Sequence, residues 1–209
     1  MSATTMGPEP GAPGIVLASQ SRIRRTMLAN AGIEVVCEPA HVDESELKNA
    51  MRAEGARVDA IAEALAELKA TRVSHRHPGA LVIGADSMIE CGDVQFDKPP
   101  DPAHAVAQLL ALAGRTHRLV SAAVVVRDGV RIWHVADAAR LTMRAFDRGY
   151  AERYVAAIGD AALSSVGAYQ LEGLGAQLFT RVEGDFFTVL GLPLLPLIEF
   201  LRGHGVVAR

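Results

Sequence analysis

Apolar and polar positions divide the chain into short apolar runs alternating with longer amphipathic stretches, the pattern of an α/β domain. Ile15-Val-Leu-Ala-Ser19 predicts a strand ending in a hydroxyl residue. Ser21 then caps a helix on which Ile23, Met27, Leu28 and Ala31 form the apolar face, closed by Gly32. Ile33 to Val36 predicts a second strand, and Cys37 beside it reads as a core residue. The charged run from Glu44 to Gly55 predicts a loop with a short helix. Val58 to Ala70 predicts a helix buried along Val58, Ile61, Leu65 and Leu68. Asp101-Pro102 supplies the cap and first position of a helix from Ala103 to Leu112, ended by Gly114. Leu119–Val126 and Val130–Val135 flank Arg127-Asp128-Gly129, a hairpin signal. Asp147 caps a helix through Tyr150, Tyr154, Val155 and Ile158, which Gly159 stops. A glycine-rich stretch, Gly167 to Gly175, leads into a strand through Leu178 and Phe179. An amphipathic helix then carries Leu194, Leu197, Ile198 and Leu201.

The middle of the chain is organised around Leu81 to Pro99. Leu81 to Ile83 predicts a short buried strand. Gly84 and Ala85 remove side-chain bulk, so another group can approach the backbone closely. Asp86 is placed at the strand's end, where open α/β sheets form their ligand crevices. After a turn at Gly92-Asp93, Lys98-Pro99 brings an ammonium group back towards it. A carboxylate and a lysine returned together suit chemistry on a phosphate ester. A strand, a turn and an exposed lysine explain the same residues, and both readings stay open at this point.

Composition narrows the class. The chain has 209 residues, half of them hydrophobic and 5% aromatic, so its core is built from Ala, Val, Leu and Ile. A net charge of -3 argues against a sequence-independent nucleic-acid binder, and any anion site must be a local concentration of basic residues. Cys37 and Cys91 have neither CxxC nor zinc-ligand spacing, which points to a reduced, cytoplasmic protein. Residues 1–13, rich in Gly and Pro without a basic start or apolar core, read as a disordered tail rather than a signal peptide. Residues 14–209 read as a single domain, and no apolar run is long enough to span a membrane.

Local charge supplies the candidate chemistry. Arg22, Arg24 and Arg25 occupy the first turn of the helix after Ser21, where the helix dipole disfavours cations. A phosphate over that helix end would resolve the conflict, met by backbone N–H groups and guanidinium forks; a solvated basic face is the alternative. Glu44 is useful only if the fold brings it to Asp86, where the two could hold a divalent cation. Lys69 adjoins a buried stripe and can extend its stem towards an anion. Gly173-Leu-Gly175 precedes a strand and lacks a third glycine, which excludes a dinucleotide fingerprint. No GxxxxGK[ST] occurs, which excludes a P-loop.

Taken in order, Leu17-Ala-Ser-Gln-Ser with Arg24-Arg25, Val42-Asp-Glu44, Lys69-Ala70, Gly84-Ala-Asp86 and Lys98-Pro99 resemble the Maf (septum-formation-inhibitor-like) nucleotide pyrophosphatases. Gly167-Ala-Tyr, Glu172-Gly, Gly184-Asp and Gly191-Leu-Pro193 complete the set, which covers nearly everything from Ile15 onward. The resemblance implies an α/β fold with a mixed, twisted sheet flanked by helices, two lobes around a central cleft, and often a homodimer. It implies hydrolysis of a nucleoside triphosphate to monophosphate and pyrophosphate with Mg2+ or Mn2+. By motif position Asp86 is the general base, and Ser19, Arg24, Arg25, Lys69 and Lys98 line the phosphate site. Glu44 and Asp86 are the metal ligands. The family name also suggests an alternative, a nucleotide-binding regulator of cell division in which hydrolysis is incidental. A phosphatase acting on sugar phosphates is a third reading.

Three positions bear on the base. Members acting on thymidine and uridine triphosphates resemble one another in having Arg where Ile23 stands, Thr at Ser87 and Gln at Glu172. Members acting on methylated GTP have an aromatic residue, Gln and Glu at those places. Here Glu172 sides with the second group, Ser87 is close to the first and Ile23 matches neither. Arg22 also replaces a frequent proline. A carboxylate at 172 takes the paired N–H donors of a guanine-type base and offers nothing to the O4 acceptor of thymine or uracil.

Overall fold

The computed structural model describes residues 8–208. Residues 1–7 of the expected disordered tail lie outside them. Within the rest of that segment the Glu9 amide donates to the Gly205 carbonyl at 2.8 Å, which ties it to the C-terminal end of the chain.

The chain runs β1 (Ile15–Leu17), α1 (Arg22–Asn30), β2 (Val36–Cys37), α2 (Glu44–Ala53), α3 (Val58–Ser74), β3 (Leu81–Cys91) and β4 (Val94–Phe96). It continues through α4 (Pro102–Leu112), β5 (Thr116–Arg127), β6 (Val130–Met143), α5 (Arg148–Ile158), α6 (Ala161–Ser164), β7 (Phe179–Glu183), α7 (Phe186–Val189) and α8 (Leu194–Gly203). Among the described residues, seven strands form one mixed sheet in the order β2-β1-β3-β5-β6-β7, with β4 folded back onto β3. β1 pairs in parallel with β2 and β3, and the remaining pairs are antiparallel. Local chemistry starts the helices: Ser21, Asp101 and Asp147 each accept from a backbone N–H of their first turn. Asp128 and Gly129 both have positive φ, which a tight hairpin turn between twisted strands requires.

Alternation along β3 sorts its side chains between two faces. Val82 and Met88 pack with Ile61, Leu65 and Val73 of α3. Leu81, Ile83 and Ala85 pack on the other side with Met27 and Leu28 of α1 and Leu194, Leu197 and Leu201 of α8. A third cluster joins Ile89 to Leu109 and Leu112 of α4, Leu141 of β6 and Tyr154 of α5. The cleft opens between the start of α1, the 39–44 stretch and Lys69 of α3 on one side and the segment around α6 on the other.

Several expectations are corrected. β3 is eleven residues long rather than three, so Asp86 sits inside a strand. The crevice nonetheless opens there, because the parallel partner β1 stops at Leu17, opposite Ile83, and β3 runs on past it. β5 and β6 are also longer than the apolar runs suggested, reaching back to Thr116 and on to Met143. β2 has only two residues and both are exposed; it is the sheet's outer strand, so Cys37 is a surface thiol while Cys91 is buried. Residues 44–53 form a ten-residue helix capped by Asp43, so the helix takes up nearly all of a run expected to be mostly loop. No residue of α2 is fully buried, which explains why its polar sequence resembled a loop. α3 extends to Ser74, with Leu68 only half-buried.

Candidate active site

Gly84 decides how α3 meets the sheet. A Cβ there would stand 1.9 Å from the Ala66 carbonyl oxygen, so only glycine lets the helix lie this close to β3. One turn along α3, Lys69 then reaches Asp86 across a Nζ to Oδ1 distance of 2.6 Å. The same ammonium meets Glu44 Oε1 of α2 at 2.8 Å. Lys69 is therefore shared by two carboxylates from different elements. Asp86 is 7% exposed, and its Oδ2 is buried without a hydrogen-bond partner. An orphaned carboxylate oxygen in a cleft is costly unless a ligand or a solvated group meets it.

Lys48 of α2 bridges Glu44 at 3.3 Å and Asp97 at 3.1 Å, and Arg52 binds Asp97 at 2.9 Å and the Gln95 side chain at 2.8 Å. This strap holds α2 to the segment that carries Lys98. Partial burial raises the Glu44 pKa, but Lys69 and Lys48 outweigh that and hold it below the usual carboxylate value. Lys98 stands exposed on the cleft rim. Desolvation, then the charges of Arg24 and Lys69, push its pKa below the usual lysine value, against the pull of Asp86 and Glu44. An anion placed among these cations would relieve that repulsion.

On the opposite face of β3, Ser87 meets Arg24. The guanidinium donates from Nε to the Gly191 carbonyl at 2.7 Å, from Nη1 to the Ala85 carbonyl at 2.8 Å and to Ser19 Oγ at 3.3 Å, and from Nη2 to Ser87 Oγ at 3.0 Å. Burial lowers its pKa, opposed by the charges of Asp86 and Glu44. Arg24 thus ties three segments of chain together and has at most one N–H left for a ligand. Ser121 Oγ donates to the Thr188 carbonyl at 2.8 Å, so its hydroxyl proton is committed there. The Ser87–Ser121 contact of 2.8 Å must then carry the Ser87 proton, which leaves Ser87 only an acceptor for any further partner.

The cleft has a volume of about 680 Å³, within the usual range for small-molecule sites. Ser19, Ile23, Arg24, Glu44, Lys69, Asp86, Ser87, Lys98 and Glu172 all line it. Arg25 does not; it is exposed to solvent one turn further along α1, and Arg22 lines the cleft in its place. The three arginines therefore part company: one is a buried tie, one faces the cleft and one faces solvent. Sequence reasoning passed over Ser121, Thr188, Lys48 and Asp97. A hydroxyl inside the apolar run of β5 was the available signal for Ser121.

The fold and the cleft define an open α/β protein whose crevice sets basic side chains around two carboxylates, at the point where a parallel neighbour strand ends. The family model for Maf-like proteins matches residues 14–204, and the chain belongs to that family. A Paramagnetospirillum magneticum protein named nucleoside triphosphate pyrophosphatase is 58% identical over 190 residues, covering 91% of this chain and 98% of its own. A Mesorhizobium japonicum protein named 7-methyl-GTP pyrophosphatase is 51% identical over 193 residues, covering 92% and 97%. Among solved structures, a nucleoside-triphosphatase / dITP/XTP pyrophosphatase from Mycobacterium abscessus aligns over 91% of this chain and 97% of its own at 20% identity. Its TM-score of 0.43 is too low to bear on the site.

Proposed function

We infer that this chain is a nucleoside triphosphate pyrophosphatase, a hydrolase acting on an acid anhydride. The observation that carries the reading is the Asp86 carboxylate, set in a cleft with one oxygen on Lys69 and the other unpartnered. Relatives that share most of the chain's length and half or more of its residues carry the pyrophosphatase name, and none of this favours a purely regulatory protein.

Attack by water on the α-phosphorus forms a P–O bond and breaks the bond to the bridging oxygen of the β-phosphate. Pyrophosphate leaves, and the water's proton passes to the Asp86 carboxylate. Lys69, Lys98 and Arg22 offset the charge of the phosphate oxygens, which otherwise repels the nucleophile. Arg24 acts mainly by holding Ser19, Ser87 and Gly191 in place. Asp86 suits Mg2+ or Mn2+ through its unpartnered Oδ2, whereas Glu44 has one oxygen on Lys69 and the other on Lys48 and would reach an ion by giving up one of them. Among the described residues no group of three or more His, Cys, Asp or Glu side chains could hold a metal. Asp86 and Glu44 would therefore hold the ion together with substrate and solvent oxygens, as Mg2+ commonly requires. When bound, it supplies charge neutralisation and a more acidic water.

With Mg2+ or Mn2+, the purified protein is expected to yield monophosphate and pyrophosphate as first products, and EDTA should stop the reaction. Orthophosphate appearing first would place attack on the γ-phosphate and overturn the reading.

Glu172 and Ser87, both on the cleft wall, extend the proposal to the base. A carboxylate and a hydroxyl whose proton is committed to Ser121 present acceptors only, which favours the N1–H and N2–H donors of a guanine-type base, methylated or not. Glu172 is exposed in the free protein; where a bound base shuts water out, a mismatch of this kind costs about 1–3 kcal/mol. Glu172→Gln should therefore move the kcat/KM ratio of GTP over UTP towards UTP by roughly tenfold or more. Wild type hydrolysing UTP and dTTP better than every purine triphosphate would refute the assignment.

A further inference from the structure

His117 of β5 lies outside the constellation described so far, yet it is 2% exposed and its Nε2 sits 2.9 Å from the Tyr169 hydroxyl. Tyr169 is 4% exposed and lines the cleft, so this bond runs from the core to the cleft wall. The phenol ring packs edge-on against Phe179, with ring centroids 4.9 Å apart, and the imidazole lies 5.6 Å from the Tyr169 ring. Tyr169 belongs to the segment that forms one wall of the cleft: Val166, Tyr169, Gln170, Leu171 and Glu172 all line it.

That wall is not a regular element. Gly167 and Ala168 both have positive φ, 77° and 59°, and left-handed backbone is unfavourable for alanine. A Cβ at Gly167 would meet the Tyr169 ring at 2.7 Å, so the turn is wound tightly around the phenol. Two tyrosine hydroxyls pin the turn. The Tyr154 hydroxyl accepts from the Gln170 amide at 3.3 Å, and the Tyr169 hydroxyl is held by His117.

We propose that His117 is a positioning residue for base recognition: by fixing the Tyr169 hydroxyl it sets the 166–172 wall, and with it the carboxylate of Glu172, against the bound nucleobase. Burial lowers the His117 pKa to about 4 and raises that of Tyr169, so both partners are neutral at ordinary pH and share one hydrogen bond. This inference rests on the pyrophosphatase reading and deepens it, since it concerns which triphosphate is taken rather than how the anhydride is cut. Asp86, Lys69 and Lys98 lie on other elements and are not moved by it.

Tyr169→Phe removes only the hydroxyl, and His117→Gln keeps an amide nitrogen near the place of Nε2. KM and kcat for GTP, 7-methyl-GTP and UTP are measured on wild type and both variants, with calorimetric binding of the α,β-methylene analogues of GTP and UTP. Tyr169→Phe is expected to raise the guanine-nucleotide KM and Kd about three- to tenfold, the scale of one net hydrogen bond. Its kcat should stay within about twofold, and its preference among bases should narrow. His117→Gln, which can still bond the Tyr169 hydroxyl, should lose less than Tyr169→Phe although it changes more of the core, the reverse of what a general loss of packing would give. Wild-type KM, Kd and base ratios in both folded variants would overturn the proposal, as would an equal fall in kcat for every substrate. If wild type itself releases no pyrophosphate, the earlier reading falls, and the binding data still decide this one.

Discussion

Asp86→Asn should lower turnover by about 10²–10⁴-fold, the usual worth of a positioned acid–base group, while the thermal unfolding midpoint stays close to that of wild type. Asparagine is nearly isosteric, and its amide oxygen can still accept from Lys69. It cannot take up the water's proton or offer a full negative charge to a cation. The fold should tolerate the change because Glu44 remains 2.8 Å from Lys69, so the ammonium keeps a counter-charge in the cleft. A variant turning over within a few-fold of wild type would make Asp86 a structural residue, and the assignment of the attacking water would fall with it. Measuring kcat and the unfolding midpoint on the same preparation separates lost chemistry from lost protein.

Gly84→Ala should be among the most damaging single-methyl changes available in this chain. The added carbon would lie 1.9 Å from the Ala66 carbonyl oxygen and 2.9 Å from Ala70 Cβ, atoms of a helix that cannot yield without moving as a body. Overpacking of this kind costs about 1–3 kcal/mol and occasionally more; contact with backbone puts this case at the upper end. Activity should fall further than stability. Backing α3 away from β3 lengthens the 2.6 Å contact of Lys69 with Asp86, and site geometry matters at the scale of an ångström. Gly203→Ala in α8 is the control, since a Cβ there has nothing within 4 Å. Equilibrium unfolding in urea, with kcat measured where the variant is fully folded, tests both parts. A Gly84→Ala protein as stable and active as the Gly203→Ala control would show that α3 rides on the sheet more loosely than these contacts imply.

What the sequence determined by itself is what depends on near neighbours. The caps at Ser21, Asp101 and Asp147 were legible because a short polar side chain bonds a backbone N–H two or three residues on. The hairpin at Asp128-Gly129 was legible because few residues accept its backbone angles, and the close approach at Gly84 because only a missing side chain permits it. The proposed site residues were named from ordered motifs, and the burial of Arg24 was readable in principle: it lies three and four positions before Met27 and Leu28, on the buried stripe of α1.

Tertiary structure alone decided the rest. Whether Asp86 ended a strand could not be read locally, because the crevice arises where β1 stops rather than where β3 does. Glu44 reaches Lys69 from a helix with no fully buried residue, held in part by Lys48 and Arg52 on Asp97, which lies 49 and 45 positions further along the chain. Cys37 looked apolar enough for the core, but the sheet's order put its strand outermost. His117 meets Tyr169 across 52 residues, and Arg24 meets Gly191 across 167. Such pairs leave no periodicity in the sequence, because their partners are chosen by how the elements pack and not by any spacing along the chain.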